Sequence, residues 1–144
     1  MAERNEAFFS LYENMFFVLK EELGEDRALD LFRNIVERGL KKSYDAAEPP
    51  FTKGYPQDFA RVVGERDRKL GLDVRFPLVE DRKIVYQFHS DPFPRLKMHV
   101  SPENIDATYM RFKVSYLLGD GWGYRTTRHM WKGDGYTEHV ITMR

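Results

Sequence analysis

Cysteine is absent from all 144 residues. That excludes disulfides, thiolate nucleophiles and thiolate metal sites within the chain, and it leaves only a His and carboxylate set for any metal. Net charge is missing as well: 23 basic residues balance 23 acidic ones. The global electrostatic footprint of a nucleic-acid binder is therefore lacking, and no nucleic-acid partner is expected. No apolar run approaches the length of a membrane span, and Met1-Ala2-Glu3-Arg4 lacks the apolar core of a signal peptide, so the expectation is a cytoplasmic protein. Repeats of solenoid length and low-complexity tracts are also absent. Aromatic residues, by contrast, are plentiful. Eleven Phe, eight Tyr and two Trp stand in a chain that is 32% charged, which implies a dense aromatic core beneath a charged surface. The length is that of one domain, read as a single α+β domain over 1–144.

Apolar periodicity places a first helix over Glu6 to Leu23, with Phe8, Leu11, Tyr12, Met15, Phe16, Val18, Leu19 and Leu23 on one half and Phe17 alone in the polar half. Gly24 caps it, and the acidic Glu25-Asp26 opens a second helix with the stripe Ala28, Phe32, Ile35 and Val36. Gly39 interrupts that stripe. Either another backbone or a ligand approaches closely there or the helix is simply weak near its end, and the sequence favours neither reading. After the loop Asp45 to Tyr55, a third helix runs from Pro56 to Leu70.

Two alternating runs around Glu80-Asp81-Arg82 then predict a β-hairpin with a three-residue loop, pairing Leu78 with Ile84, Phe76 with Tyr86 and Val74 with Phe88. Ser101, Pro102 and Glu103 open a helix that stops near Gly119 and is apolar on two sides, as expected of a helix between two layers. The final runs, Trp122 to Trp131 and Tyr136 to Met143, flank Gly133-Asp134-Gly135 and predict a second hairpin. The expected class is α+β: three helices, a hairpin, a helix and a hairpin, with a mainly antiparallel four-stranded sheet packed against the helices.

A simple turn at Gly133-Asp134-Gly135 would put Arg125, Thr127, His129, Trp131, Glu138 and Val140 on one face of the last hairpin. That face offers a cation for a carboxylate, a hydroxyl, and an imidazole beside a carboxylate. His129 and Glu138 are the candidate catalytic pair, and Arg125, Thr127, Trp131 and Asp134 the candidate substrate contacts. A solvated face with ordinary charge pairs is the competing reading. His129, Asp134, Glu138 and His139 do not follow a known ligand spacing, so no metal and no other cofactor is expected. Gly-x-Ser-x-Gly, a phosphate-binding glycine loop and His-Glu-x-x-His are all missing.

Arg125-Thr-Thr, followed by Gly133-Asp134 and Thr137-Glu138-His139, together with Gly-Glu-Asp-Arg-Ala at 24–28, resembles the L-2-amino-thiazoline-4-carboxylic acid hydrolase family. The resemblance implies hydrolytic opening of a small carboxylated sulfur heterocycle and carries over Arg125, Thr127, Asp134 and Glu138. Where the family has a cysteine and an acidic residue after Gly-Asp, this chain has Thr137 and Glu138, which leaves water as the nucleophile. The order of elements also resembles the vinyl-reductase-like small-molecule-binding domains and the TRAPP-type tethering subunits, which implies an enclosed apolar ligand or a helix-mediated dimer. Two functions follow: a hydrolase-like protein acting on a carboxylated substrate, or a non-catalytic domain for an apolar ligand. In either case the partners are a small molecule and, through Phe17 on the first helix, a second copy in a homodimer.

Overall fold

The computed structural model describes residues 4–144. Helix α1 (Glu6–Leu23) starts at Asn5, whose side chain accepts from Phe8 N, and ends at Gly24, with a φ of 81°. Helix α2 (Glu25–Asp45) follows directly, and α3 (Pro56–Lys69) begins with proline at its first position. Strands β1 (Val74–Glu80) and β2 (Lys83–Phe88) form the first hairpin, α4 (Pro102–Leu117) crosses back, and β3 (Trp122–Arg128) and β4 (Thr137–Met143) form the second. Two short 3-10 turns, Pro94–Leu96 and Met130–Lys132, lie in the connections.

All strand pairs are antiparallel and the sheet order is β1-β2-β4-β3, so β4, the last strand in the chain, pairs with both β2 and β3 and joins the two hairpins into one sheet. The inner face carries Ile84, Tyr86, Phe88, His139 and Ile141, which are all buried. α3 packs on β1 and β2, α4 on β3, and α1 and α2 pack on each other, with α2 also against α4. Between these layers lies the aromatic core foreseen from composition. Phe9, Phe16, Phe32, Phe59, Phe88 and Tyr86 are each at most 2% exposed, and edge-on pairs such as Phe16 with Phe32 at 5.6 Å hold them in the geometry that ring quadrupoles favour. Among the described residues no helix is long and apolar enough to cross a membrane.

The first hairpin departs from simple alternation. Val74 pairs with Phe88, but the register shifts between Arg75 and Leu78, so Leu78 faces Val85 rather than Ile84, and Glu80 pairs with Lys83 across a two-residue turn. Pro77 explains the shift: it has no N–H to give to the ladder, and a bulge is where a strand tolerates it. The Phe76 ring still stacks on Tyr86, at 4.9 Å and 3°.

Gly39 faces α1, where an added Cβ would stand 3.2 Å from the Tyr12 hydroxyl. A close approach is thus the reason for this glycine. Phe17 is half-buried, against the His99 ring at 5.0 Å and beneath the Arg95 guanidinium at 5.5 Å. The segment after β2 covers it, which removes the reason for expecting a dimer through that ring.

Candidate functional site

The hairpin face that the sequence singles out is divided by the fold. Up to Thr126 the β3–β4 pairing runs Arg125 with Val140 and Thr126 with His139, as alternation requires, but a bulge at Thr127 makes Arg128 the partner of Glu138. One extra residue reverses which face each later side chain takes. His129 therefore turns inward and is 6% exposed, while Glu138 stays on the outer face. There the Glu138 carboxylate accepts from Thr127 Oγ1 at 2.7 Å and Gln87 Nε2 at 2.8 Å. These two hydrogen bonds, ahead of a small opposing effect of burial, hold it below the usual carboxylate range.

His129 meets a different carboxylate. Its Nε2 lies 3.2 Å from Asp106 Oδ1 on α4, its Nδ1 accepts from Trp131 N at 3.0 Å, and its backbone N–H donates to Asp134 Oδ2 at 2.8 Å. Trp131 donates through Nε1 to Asp91 Oδ2 at 2.6 Å. Asp134 thus shapes the turn. Arg125 is exposed on a surface trough of about 300 Å³ between α4 and β3, with Arg111 and Lys132. The structure brings His129, Trp131 and Asp134 together, and separately Thr127 and Glu138. It does not bring His129 to Glu138. Among the described residues, no group of three or more His, Asp or Glu is arranged to hold a metal.

The principal chemistry of the interior lies elsewhere, on α4. Ser101 caps this helix by accepting from Asn104 N, and Asp106, Tyr109 and Lys113, spaced i, i+3 and i+7, point from one stripe into the space between helices and sheet. All three are buried. Lys113 Nζ donates to Tyr86 Oη at 2.8 Å and lies 3.6 Å from Asp67 Oδ2. It also sits over the rings of Tyr109, Tyr86 and Phe88 at 5.0, 5.1 and 5.4 Å, a cation–π cage. Asp67, on α3, accepts in turn from the Tyr86 hydroxyl and from Arg66 Nη1 at 3.1 Å. Burial is the main cause that brings Lys113 down to about 8, against the opposing pull of Asp67. Burial also pushes the Tyr86 and Tyr109 hydroxyls well up, so both keep their protons. At the other end of the stripe, Asp106 accepts from Tyr109 Oη at 3.0 Å as well as facing His129.

Two adjoining cavities follow this stripe. One, of about 30 Å³, is walled by Phe8, Phe9 and Tyr12 of α1, Val36 and Leu40 of α2, and the Arg66, Asp67 and Lys113 groups. The second, of about 20 Å³, lies among Asp91, Asp106, His129, Trp131 and Thr137. Phe88, Pro92, Phe93 and Tyr109 border both. The Pro92–Phe93 wall is tied down by Glu13, which is fully buried on α1 and accepts from Arg95 N at 2.8 Å and Arg4 Nη2 at 3.1 Å.

His139 closes the site on the sheet side. It is fully buried among Tyr86, Phe88, Tyr109 and Tyr124, with Nδ1 2.9 Å from Thr126 Oγ1 and Nε2 without a partner. Burial lowers its pKa to about 4. Because the folded value lies below the ordinary one, the unfolded chain takes up the proton first as pH falls. Stability is then complete above about pH 6.5 and is lost down to about pH 4. Between pH 7 and pH 5 the His139 contribution should fall by about 2 kcal/mol. Urea unfolding of the wild type and of His139→Gln at both pH values checks this, and an unchanged pH slope in the variant would contradict it.

Compared with known proteins, the chain matches no family model and no curated protein. Among solved structures its fold is similar to the phenol-responsive sensory domain of the transcription activator PoxR, determined with phenol. The two agree with a TM-score of 0.66 at 13% sequence identity, over 99% of this chain and 76% of that one, so the architecture of four helices and a four-stranded antiparallel sheet is shared with a ligand-binding sensory domain.

Proposed function

We propose that this protein is a non-catalytic small-molecule-binding domain that takes a small aromatic molecule into the space between its helices and its sheet. The observation that carries the reading is the pair of adjoining interior cavities with aromatic walls and a few convergent polar groups, Lys113 and Asp67 at one end and Asp106 and His129 at the other. Apolar walls with a small number of placed polar groups are the usual make-up of a ligand site. The similar sensory domain of PoxR was determined with phenol, a small aromatic molecule of the kind such walls suit. Hydrolysis of a carboxylated heterocycle is less well supported, because it relied on His129 beside Glu138, and these lie on opposite faces of the sheet.

The free space amounts to a few waters, so a six-membered ring enters only as the Phe88, Phe93 and Tyr109 walls yield. Phenol should bind with a dissociation constant of roughly 1 μM to 1 mM, a range set by its seven non-hydrogen atoms. Titration calorimetry on the wild type and on Val36→Trp, which fills the first cavity, tests this. Binding that is absent from the wild type, or equal in the filled variant, would count against the reading.

A further inference from the structure

The chemical class of the ligand can be narrowed from the charges that line the first cavity. An ammonium group has three N–H donors. Lys113 gives one to Tyr86 Oη at 2.8 Å, and only Asp67, at 3.6 Å, is near enough to engage a second. Among the described residues nothing accepts the third. Two cations, Arg66 and Lys113, border this cavity against one carboxylate, Asp67. Asp67 is already shared between Arg66 and the Tyr86 hydroxyl. The pocket lining therefore carries one positive charge in excess, and Lys113, which is itself buried, keeps an unused donor there, which is costly. The remaining walls are apolar and largely aromatic, with Phe8, Phe9, Tyr12, Phe88, Phe93 and Tyr109 among them.

We propose that the ligand of this cavity is a small aromatic acid whose carboxylate pairs with Lys113 while its ring packs on Phe88 and Tyr109, an inference that rests on the interior binding reading above. A charge-assisted hydrogen bond from Lys113 supplies the acceptor that its free donor lacks and balances the excess charge. Asp106 does not oppose this. It stands seven residues earlier on α4, about 10 Å along the helix, and it is occupied by Tyr109 and His129. Burial has lowered Lys113 to about 8, and an entering anion would favour its ammonium form further.

The test compares benzoate with benzamide, which has nearly the same shape and no charge, and with toluene, by titration calorimetry on the full chain. The wild type should prefer benzoate over benzamide by roughly tenfold or more. Lys113→Met should remove that preference. Lys113→Met takes one partner from a buried pair, but Arg66 and the Tyr86 hydroxyl still hold Asp67, and circular dichroism checks the fold. If Lys113→Met does not fold, Lys113→Gln keeps a donor without the charge and carries the same expectation. Equal affinity for benzoate and benzamide in the wild type would overturn the proposal, as would a preference that survives in the Lys113 variant or that disappears with Arg125→Ala instead. Binding of toluene or benzamide without benzoate would leave the interior site standing and remove the carboxylate. Binding of none of the three would remove both.

Discussion

Asp67→Ala should lower the stability of the protein by about 3–5 kcal/mol, more than any other single polar substitution in it. Asp67 is fully buried and is the anion that Arg66 and Lys113 share, and it also takes the Tyr86 hydroxyl. Removing it leaves two cations close together in an aromatic interior without the carboxylate that paired them. The energetic penalty comes from the stranded charges rather than from the loss of a favourable pair, because a buried ion pair and an apolar replacement are often close in energy. The double variant Asp67→Ala with Lys113→Met should therefore recover a large part of the loss, since the more deeply buried stranded cation is gone. For a chain of this length the single variant should melt about 10–20 °C lower. Chemical unfolding of the wild type, both single variants and the double gives the cycle. A loss below about 1 kcal/mol for Asp67→Ala, or no recovery in the double variant, would mean that the network does not hold the layers together as described.

Glu13→Ala should destabilise the chain by about 2–3 kcal/mol and should do so locally. The Glu13 carboxylate fixes the Pro92–Arg95 segment through the Arg95 N–H and holds Arg4, which in turn donates to the Pro92 carbonyl at 3.1 and 3.2 Å. Alanine leaves the Arg95 N–H without its acceptor and removes one of the acceptors of the Arg4 guanidinium. Pro92 and Phe93 border both interior cavities, so the loss loosens one wall of the binding site. Amide hydrogen exchange should accelerate most at Arg95 and Leu96 and little in β2 and β4. Equal acceleration across the sheet would show that Glu13 acts on the whole fold instead of on this segment.

Most of the architecture was legible because it is written in local patterns. Gly24, Pro56, Ser101 and Pro102 mark helix ends by mechanisms that depend on a few neighbouring atoms, and the alternation around β2 and β4 is plain. The bulges were not legible. At Pro77 the missing N–H was a signal, but at Thr127 an extra residue enters the strand without glycine or proline to announce it, and that single residue separates His129 from Glu138. The candidate site failed to emerge for a related reason. Asp67, Asp106 and Lys113 read as surface charges, because a charge is buried only when its partners arrive, and here they come from α3, β2, α4 and the end of β3. One clue was available. Asp106, Tyr109, Lys113 and Leu117 share a stripe with Met110, so the periodicity that found the aromatic face of α4 would also have placed two charges on its buried side. Gly39 illustrates the opposite case, in which a local anomaly pointed correctly to a close contact, with Tyr12.

If small aromatic molecules bind inside the fold as proposed, backbone and methyl NMR during a titration with phenol should show shift changes concentrated at Val36, Leu40, Phe88, Phe93, Tyr109 and Lys113, with Arg125, Thr127 and Glu138 unaffected. Changes confined to Arg125, Thr127 and Glu138 on the outer face of the last hairpin, or no changes at millimolar phenol, would contradict it.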